Sequence, residues 1–389
     1  MSATRKSVRR YPGRREIQDS EDGRDHTLFN VRQENSMPNL TRRKVLALGA
    51  LGAAMPWVSK ASAQERKITV AAYSDIFEDI YKRTVIVPFM KANPGIRVDY
   101  MGMPTSAQNL GMLRAQKAAP QIDVCIMDVV VAKAGGDENI YQPVSAEQLP
   151  VMKELVPAAL IQGVPGPAVT FDALVLMYAT GKFPTPPTSW KELWDKKHAG
   201  RIAIDAPPNL VGVGLTLIAN KLAGGGDYRQ SIDKGIQLLA EMAPLVQTWD
   251  PKPNPYAAVA NGAVDLGVGY NARAQTISKQ NPDRMAAAMP EEGSISQINT
   301  INLVKGSKQQ EAALQFMTYA LSGEAQSRFT EELSYVPTNK NASISEDARK
   351  RTATTPERTA RMIDVDWIEV AKFRDKITEQ WRRNVISRS

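Results

Sequence analysis

The chain has 389 residues, too many for one ordinary core and suited to about two lobes of roughly 150 residues each. With 43% hydrophobic and 23% charged residues, it reads as neither a disordered chain nor a multi-span membrane protein. The formal charge of +8 points toward nucleic acid only until it is localised: residues 1–63 hold 12 Lys/Arg against 6 Asp/Glu, and the remainder holds 37 against 35, so the body lacks the broad basic footprint that phosphate backbones require.

Residues 1–36 are polar, without a hydrophobic period, and read as a disordered extension. Residues 37–63 read as an export signal. Thr41-Arg42-Arg43-Lys44 places twin arginines before an apolar stretch of about 14 residues, and Ala61-Ser62-Ala63 offers a small-x-small cleavage site. That stretch is shorter than the ~20 residues a spanning helix needs. The pattern predicts twin-arginine export with cleavage after Ala63. No cysteine stands near the cut to carry a lipid, so a freely diffusing periplasmic protein is expected. Cys125, the single cysteine, lies in an apolar run and reads as a small buried side chain.

Along the mature chain, Lys67–Ala72 alternates as a strand and a helical pattern follows at Phe77, Ile80, Tyr81, Val85 and Phe89, stopped by Asn93-Pro94-Gly95. A strand through Ile96, Val98 and Tyr100, a helix around Leu110–Lys117 and a buried strand Asp123–Met127 complete a β-α-β-α-β run, hence an open α/β sheet. Phe171–Tyr178 reads as a strand, and Phe183-Pro184-Thr185-Pro186-Pro187 marks a boundary. Beyond it come a helix with Trp190, Leu193 and Trp194, a strand Arg201–Ile204, helices Val211–Lys221 and Ile232–Met242, and a strand Val264–Tyr270. Ser294–Val304 is extended, helices Glu311–Leu321 and Glu324–Leu333 follow, and Val365–Val385 forms a terminal amphipathic helix.

In open α/β sheets ligands bind beyond the carboxyl ends of the strands. This singles out Tyr73, Ser74 and Asp75 after the first strand and Asp128 after the third. The alternative for Ser74, Asp75 and Asp128 is helix capping. Asn209 and Gly212 open a helix whose free N–H groups suit an anion; close helix packing is the other reading of the glycine.

Thr188-Ser189-Trp190-Lys191-Glu192-Leu193-Trp194-Asp195 with His198-Ala199-Gly200-Arg201, then Gly267-Val268-Gly269-Tyr270-Asn271, Pro290-Glu291-Glu292-Gly293 and Val304-Lys305-Gly306-Ser307-Lys308 resemble the family 1 extracellular solute-binding proteins. The likeness is strongest to the spermidine/putrescine-binding branch and covers essentially residues 66–385. It implies the type II periplasmic-binding fold, in which two α/β lobes, joined by strands that cross twice, close on a solute in the cleft between them. Segments 64–175 and 297–335 would build lobe 1, 176–296 lobe 2, and 336–389 C-terminal helices packing on the lobes.

The resemblance also implies an aromatic shelf and polar contacts at Tyr73, Ser74 and Asp75, and solute contacts from Tyr270 and Asn271. Two departures bear on the solute. Arg273 stands near the place where polyamine binders often have an acid, and Gln297-Ile298-Asn299 stands where they resemble Trp-x-Asp. A guanidinium opposes a polycation and suits a carboxylate or phosphate. An amino acid-like zwitterion, a carboxylate or a phosphonate is therefore expected over a polyamine, with a surface salt bridge as the alternative role of Arg273.

His198 is the one histidine of the mature chain, and no P-loop, HExxH, G-x-S-x-G or Cys-x-x-Cys occurs. The expectation is a monomeric receptor without cofactor or metal that performs no chemistry and hands its solute to an ABC permease and ATPase. A periplasmic sensor subunit for a chemoreceptor or kinase, and a carboxylate-dependent enzyme, are the competing readings.

Overall fold

The computed structural model describes residues 66–388; the expected extension, twin-arginine signal and cleavage site lie outside them. Lobe 1 begins with β1 (Arg66–Tyr73), α1 (Ile76–Tyr81), α2 (Val87–Ala92), β2 (Ile96–Met103), α3 (Ser106–Ala115), β3 (Val124–Asp128), α4 (Val129–Asp137) and β4 (Tyr141–Gln142). The long strand β5 (Ala168–Ala179) leads into lobe 2, built from β6 (Ile202–Ala203), α5 (Leu210–Leu222), α6 (Asp233–Met242), β7 (Val246–Thr248), α7 (Pro255–Ala260), β8 (Leu266–Tyr270), α8 (Asn271–Gln280) and β9 (Met285–Ala288). The chain returns through β10 (Ser296–Val304), α9 (Gln310–Ala320), α10 (Gly323–Leu333) and β11 (Val336–Pro337), and ends in α11 (Glu346–Arg351), α12 (Pro356–Arg361) and α13 (Trp367–Gln380).

The helical pattern from Phe77 to Phe89 is one continuous rod in the sequence reading, but a π turn at Lys82–Ile86 separates α1 from α2. Pro88 explains it: proline cannot donate back to the Thr84 carbonyl, and that freed oxygen accepts Arg328 Nε at 3.1 Å. The Trp190 segment is a short 3-10 turn rather than an α-helix.

Strand β5 belongs to two sheets. Residues up to Ala173 pair with β10, which pairs in turn with β3, beside β1 and β2. From Leu174 onward β5 pairs with β8 on one side and β9 on the other, and β8 continues to β6 and β7. Alternate β5 residues enter two cores, Leu174 and Leu176 on one face and Val175 and Met177 on the other, as the period of two demands. A run buried on both faces explains its unbroken apolar sequence. The return crossing is tied to β5 where the sheets divide: Leu174 N–H donates to the Ile295 carbonyl at 3.2 Å and Ser294 Oγ to the Leu174 carbonyl at 2.6 Å.

Helix α13 carries Trp367, Val370 and Ile377 into the lobe 2 core, where Trp381 Nε1 donates to Thr216 Oγ1 at 2.7 Å. It also packs against α4 of lobe 1. Cys125 is fully buried in the second core of lobe 1.

Candidate functional site

The carboxyl ends of β1 and β8 and the loop after β6 meet at a cavity of about 340 Å³. This size suits a small solute. Of the residues singled out from sequence, Tyr73, Ser74, Asp75, Asn209, Tyr270 and Arg273 line it.

Tyr73 is held rigidly. Its hydroxyl donates to Asn299 Oδ1 at 2.8 Å and lies 2.9 Å from Ser106 Oγ, and its ring meets Phe77 edge-on at 5.4 Å. Asn299 is fully buried and passes the chain on by donating from Nδ2 to Thr170 Oγ1 at 3.0 Å. Its amide is thus engaged behind the tyrosine instead of lining the cavity. Asp128 is also set back. Its N–H donates to Ser106 Oγ at 3.0 Å and its carboxylate caps α4 by accepting from Val130 N–H at 2.9 Å, which is the capping role. Burial pushes its pKa up to about 6.

Asp75 has φ of 60° and caps nothing with its side chain. The aspartate holds this strained conformation at the rim of the cavity, with its carboxylate not committed to capping. It lies 4.0 Å from the Arg273 guanidinium, which also stands 5.5 Å over the Tyr256 ring. The Arg273 side chain is 45% exposed. Tyr256 Oη in turn accepts the Tyr270 N–H at 2.7 Å. Gly269 makes room for that ring: a Cβ there would come within 2.7 Å of it.

Besides Asp128, three sequence-selected residues face away from the cavity. Gly212 packs in α5 against Pro207, 2.4 Å from where a Cβ would sit. The free N–H groups expected at this helix start are in part taken by Asn209, whose Oδ1 accepts Val211 N–H at 2.9 Å. Asn271 is buried and turns to the C-terminal segment, its Nδ2 donating to the Arg351 carbonyl at 2.7 Å and the Ser334 carbonyl at 3.4 Å. Asn299 stands behind Tyr73, as described.

The sequence reading missed Asp172, Asp205, Asn254, Tyr256 and Tyr335, which also line the cavity. Asp172 is buried in β5 and accepts from Ala173 N–H at 2.8 Å and Ala272 N–H at 3.1 Å. Burial pushes its pKa up to about 7, while these backbone donors pull the other way. It caps α8 from a neighbouring strand, so no local sequence signal announces it. Asp205 does carry a signal, because it follows the β6 strand end just as Asp75 follows β1. It is half-buried, makes no ion pair among the described residues, and is held above the usual carboxylate range first by burial and then by Asp250, with Lys252 opposing.

A family model described as bacterial extracellular solute-binding protein matches residues 84–356. The gamma-aminobutyric acid-binding protein of Pseudomonas aeruginosa is 20% identical over 343 residues, covering 84% of this chain and 94% of its own. The spermidine/putrescine-binding periplasmic protein 1 of Haemophilus influenzae is 22% identical over 301 residues, covering 72% and 79%. The crystal structure of an ABC transporter from Clostridium perfringens superposes with a TM-score of 0.68 at 25% identity, covering 82% of this chain and 99% of that one. With the two-sheet fold, the strand shared between lobes and the cleft at the strand ends, these matches place the chain in the bacterial extracellular solute-binding protein family, the small-solute receptors of ABC transporters.

Proposed function

We propose that the protein is the periplasmic receptor of an ABC uptake system for a zwitterionic solute of the amino acid type, with a 4-aminobutyrate-like spacing of amine and carboxylate as the best candidate. One observation carries this reading: Arg273 and the unpaired Asp205 both face a single cavity walled by Tyr73, Phe77, Tyr256, Tyr270 and Tyr335. The guanidinium suits bidentate capture of a carboxylate, the half-buried carboxylate seats the ammonium, and the rings cover the methylene body. The gamma-aminobutyric acid-binding relative supports the same class.

Polyamines are the second reading, because three aspartates, Asp75, Asp172 and Asp205, line the cavity against one arginine. Asp172 weakens that count, since both its oxygens already accept backbone N–H groups. The solute leaves unchanged and passes to a permease and its ATPase. The receptor acts as a monomer, exported through the twin-arginine signal and cut near Ala63. Closure of the lobes about β5 and the return crossing follows from the solute's additional contacts in the closed form.

Thermal unfolding of residues 64–389 with 4-aminobutyrate, glutarate, putrescine, spermidine and inorganic phosphate tests the assignment. Solute at 100 times its dissociation constant stabilises by about 2.7 kcal/mol. Stabilisation by 4-aminobutyrate but not by putrescine or glutarate is expected; stabilisation by the diamine alone would assign the cleft to polyamines.

A further inference from the structure

We infer that a second cavity, sharing no lining residue with the solute cleft, is a binding site for a phosphate group. It measures about 400 Å³ and lies between the chain leaving β9 at Met289–Gly293 and the basic segment Lys350–Arg361 of α11, α12 and the turn joining them. Lys350, Arg351, Arg358 and Arg361 line it against a single carboxylate, Glu291.

Their hydrogen bonding leaves the charge largely uncompensated. Arg351 pairs with Asp347, yet its Nε is buried without a hydrogen-bond partner. Arg358 donates from Nη1 to the Thr352 carbonyl at 2.8 Å and the Lys350 carbonyl at 2.5 Å, and meets no carboxylate. It is half-buried, and that desolvation pushes its pKa down. Lys350 and Arg361 form no ion pair among the described residues; Arg361 reaches Glu357 only through space. Like charges gathered in one cavity repel, and a desolvated guanidinium without a counter-charge is costly. An anion relieves both.

Arginine forks and a lysine are the donors that phosphate oxygens match, each fork taking two of them. A phosphate brings about −1.5 to −2 charges at neutral pH, which answers three cations that lack an ionic partner. The opposite wall, with Tyr178, Pro187 and Met289, leaves room for an organic body, so phosphomonoesters fit as well as the free ion.

The base of the site is fixed to the scaffold. Asn271 Nδ2 holds the Arg351 carbonyl at 2.7 Å. Gly293, at φ of 93°, runs so close to Arg361 that a Cβ would meet its carbonyl oxygen at 1.8 Å. The cations are thereby presented by anchored backbone and not by a loose tail.

Calorimetric titration of the signal-free chain with inorganic phosphate, against sodium chloride at equal ionic strength, tests the site. Phosphate is expected to bind the unaltered chain and the cleft variant Arg273→Gln alike, and at least tenfold more weakly to the Arg358→Gln/Arg361→Gln double variant with unchanged circular dichroism. Should the double variant not fold, Arg361→Gln alone, at an exposed position, must still weaken phosphate about threefold. Heats equal to those of chloride, full affinity in the Arg361 variants, or loss in Arg273→Gln would each overturn the inference. Sedimentation with phosphatidylglycerol vesicles separates the sources: pelleting abolished by the double variant assigns the phosphate to a lipid headgroup, absence of pelleting beside phosphate binding assigns it to a soluble ligand, and pelleting that survives the double variant rejects the headgroup.

Discussion

The two walls of the cleft are built on opposite plans. On the lobe 1 side, Tyr73 is locked by Asn299 and Ser106, and Phe77 packs edge-on against both Tyr73 and Tyr335. The hydroxyl and amide that fix Tyr73 are engaged with one another and with Thr170, so this wall contributes a fixed aromatic surface. On the lobe 2 side, Arg273 has a loose 4.0 Å contact with Asp75 and stands 5.5 Å over the Tyr256 ring, and Asp205 makes no ion pair among the described residues. Lobe 1 thus supplies mainly locked ring surface with Asp75 at its rim, and lobe 2 sets Arg273 and Asp205 beside the rings of Tyr256 and Tyr270. A solute is read fully only when both meet it, which is what a receptor signalling through closure requires.

The largest effect expected from this division is at Arg273. Arg273→Gln should weaken the zwitterion by about 2 kcal/mol, roughly 30-fold, the lower end for a charge pair because the side chain is partly exposed. The melting temperature of the unliganded chain should hardly change, since the residue supports no core. Calorimetry beside thermal unfolding checks both halves; a large loss of stability would move Arg273 to the scaffold. Asp205→Asn should cost about tenfold in affinity, the worth of one charge-assisted hydrogen bond, and should weaken a carboxylate-only ligand little or not at all. If it strengthens glutarate while weakening 4-aminobutyrate, the ammonium seat is assigned.

Tyr73→Phe probes the other wall and should invert the pattern. Removing the hydroxyl leaves Asn299 Oδ1, in a fully buried side chain, without the donor it now has, at a cost of about 1 to 2 kcal/mol in unfolding free energy. Affinity should fall only about threefold, because the ring and its stacking remain. Equal losses of stability and affinity would erase the distinction between the walls.

How much of this was legible in the sequence follows from how local each signal is. Strand ends are local, and the β1 end led to Tyr73, Ser74 and Asp75; the same logic at β6 would have reached Asp205. Asn254 opens α7 as an N-cap before Pro255, a local signal as well. Asp172 and Tyr335 are different. One caps a helix 100 residues away, and the other reaches the cavity only after the chain has returned through α10. The division of β5 between two sheets cannot be read from the strand's own pattern, because a strand buried on both faces reads the same in either sheet; only the resemblance to solute-binding proteins, whose lobes are joined by crossing strands, points to the Phe171–Tyr178 run. Asn271 shows the converse error: adjacent in sequence to Tyr270, it points into the C-terminal segment, since neighbouring residues at a strand-to-helix junction face different ways.

The smallest expected effect concerns the two buried carboxylates that neither wall presents as a free charge. Asp128 and Asp172 have folded pKa values raised to about 6 and about 7 by burial. Unfolded aspartate titrates near 3.9, so between that value and pH 7 the folded chain binds more protons than the unfolded one. Stability from these groups is therefore fully present below about pH 4 and is lost as pH rises through about 6 and then about 7. Asp99, Glu138 and Asp195 are shifted downward by their basic or backbone partners, and their opposite contribution falls below the same window. The unliganded chain should accordingly lose melting temperature between pH 5 and 7.5, by a few degrees. Asp172→Asn should flatten the upper part of that slope and leave the part near pH 6 to Asp128. A profile that rises across this window, or one unchanged in Asp172→Asn, would show that the capping N–H groups of α8 outweigh burial at Asp172 and keep it ionised, returning it to the cleft as a third negative charge and favouring the polyamine reading.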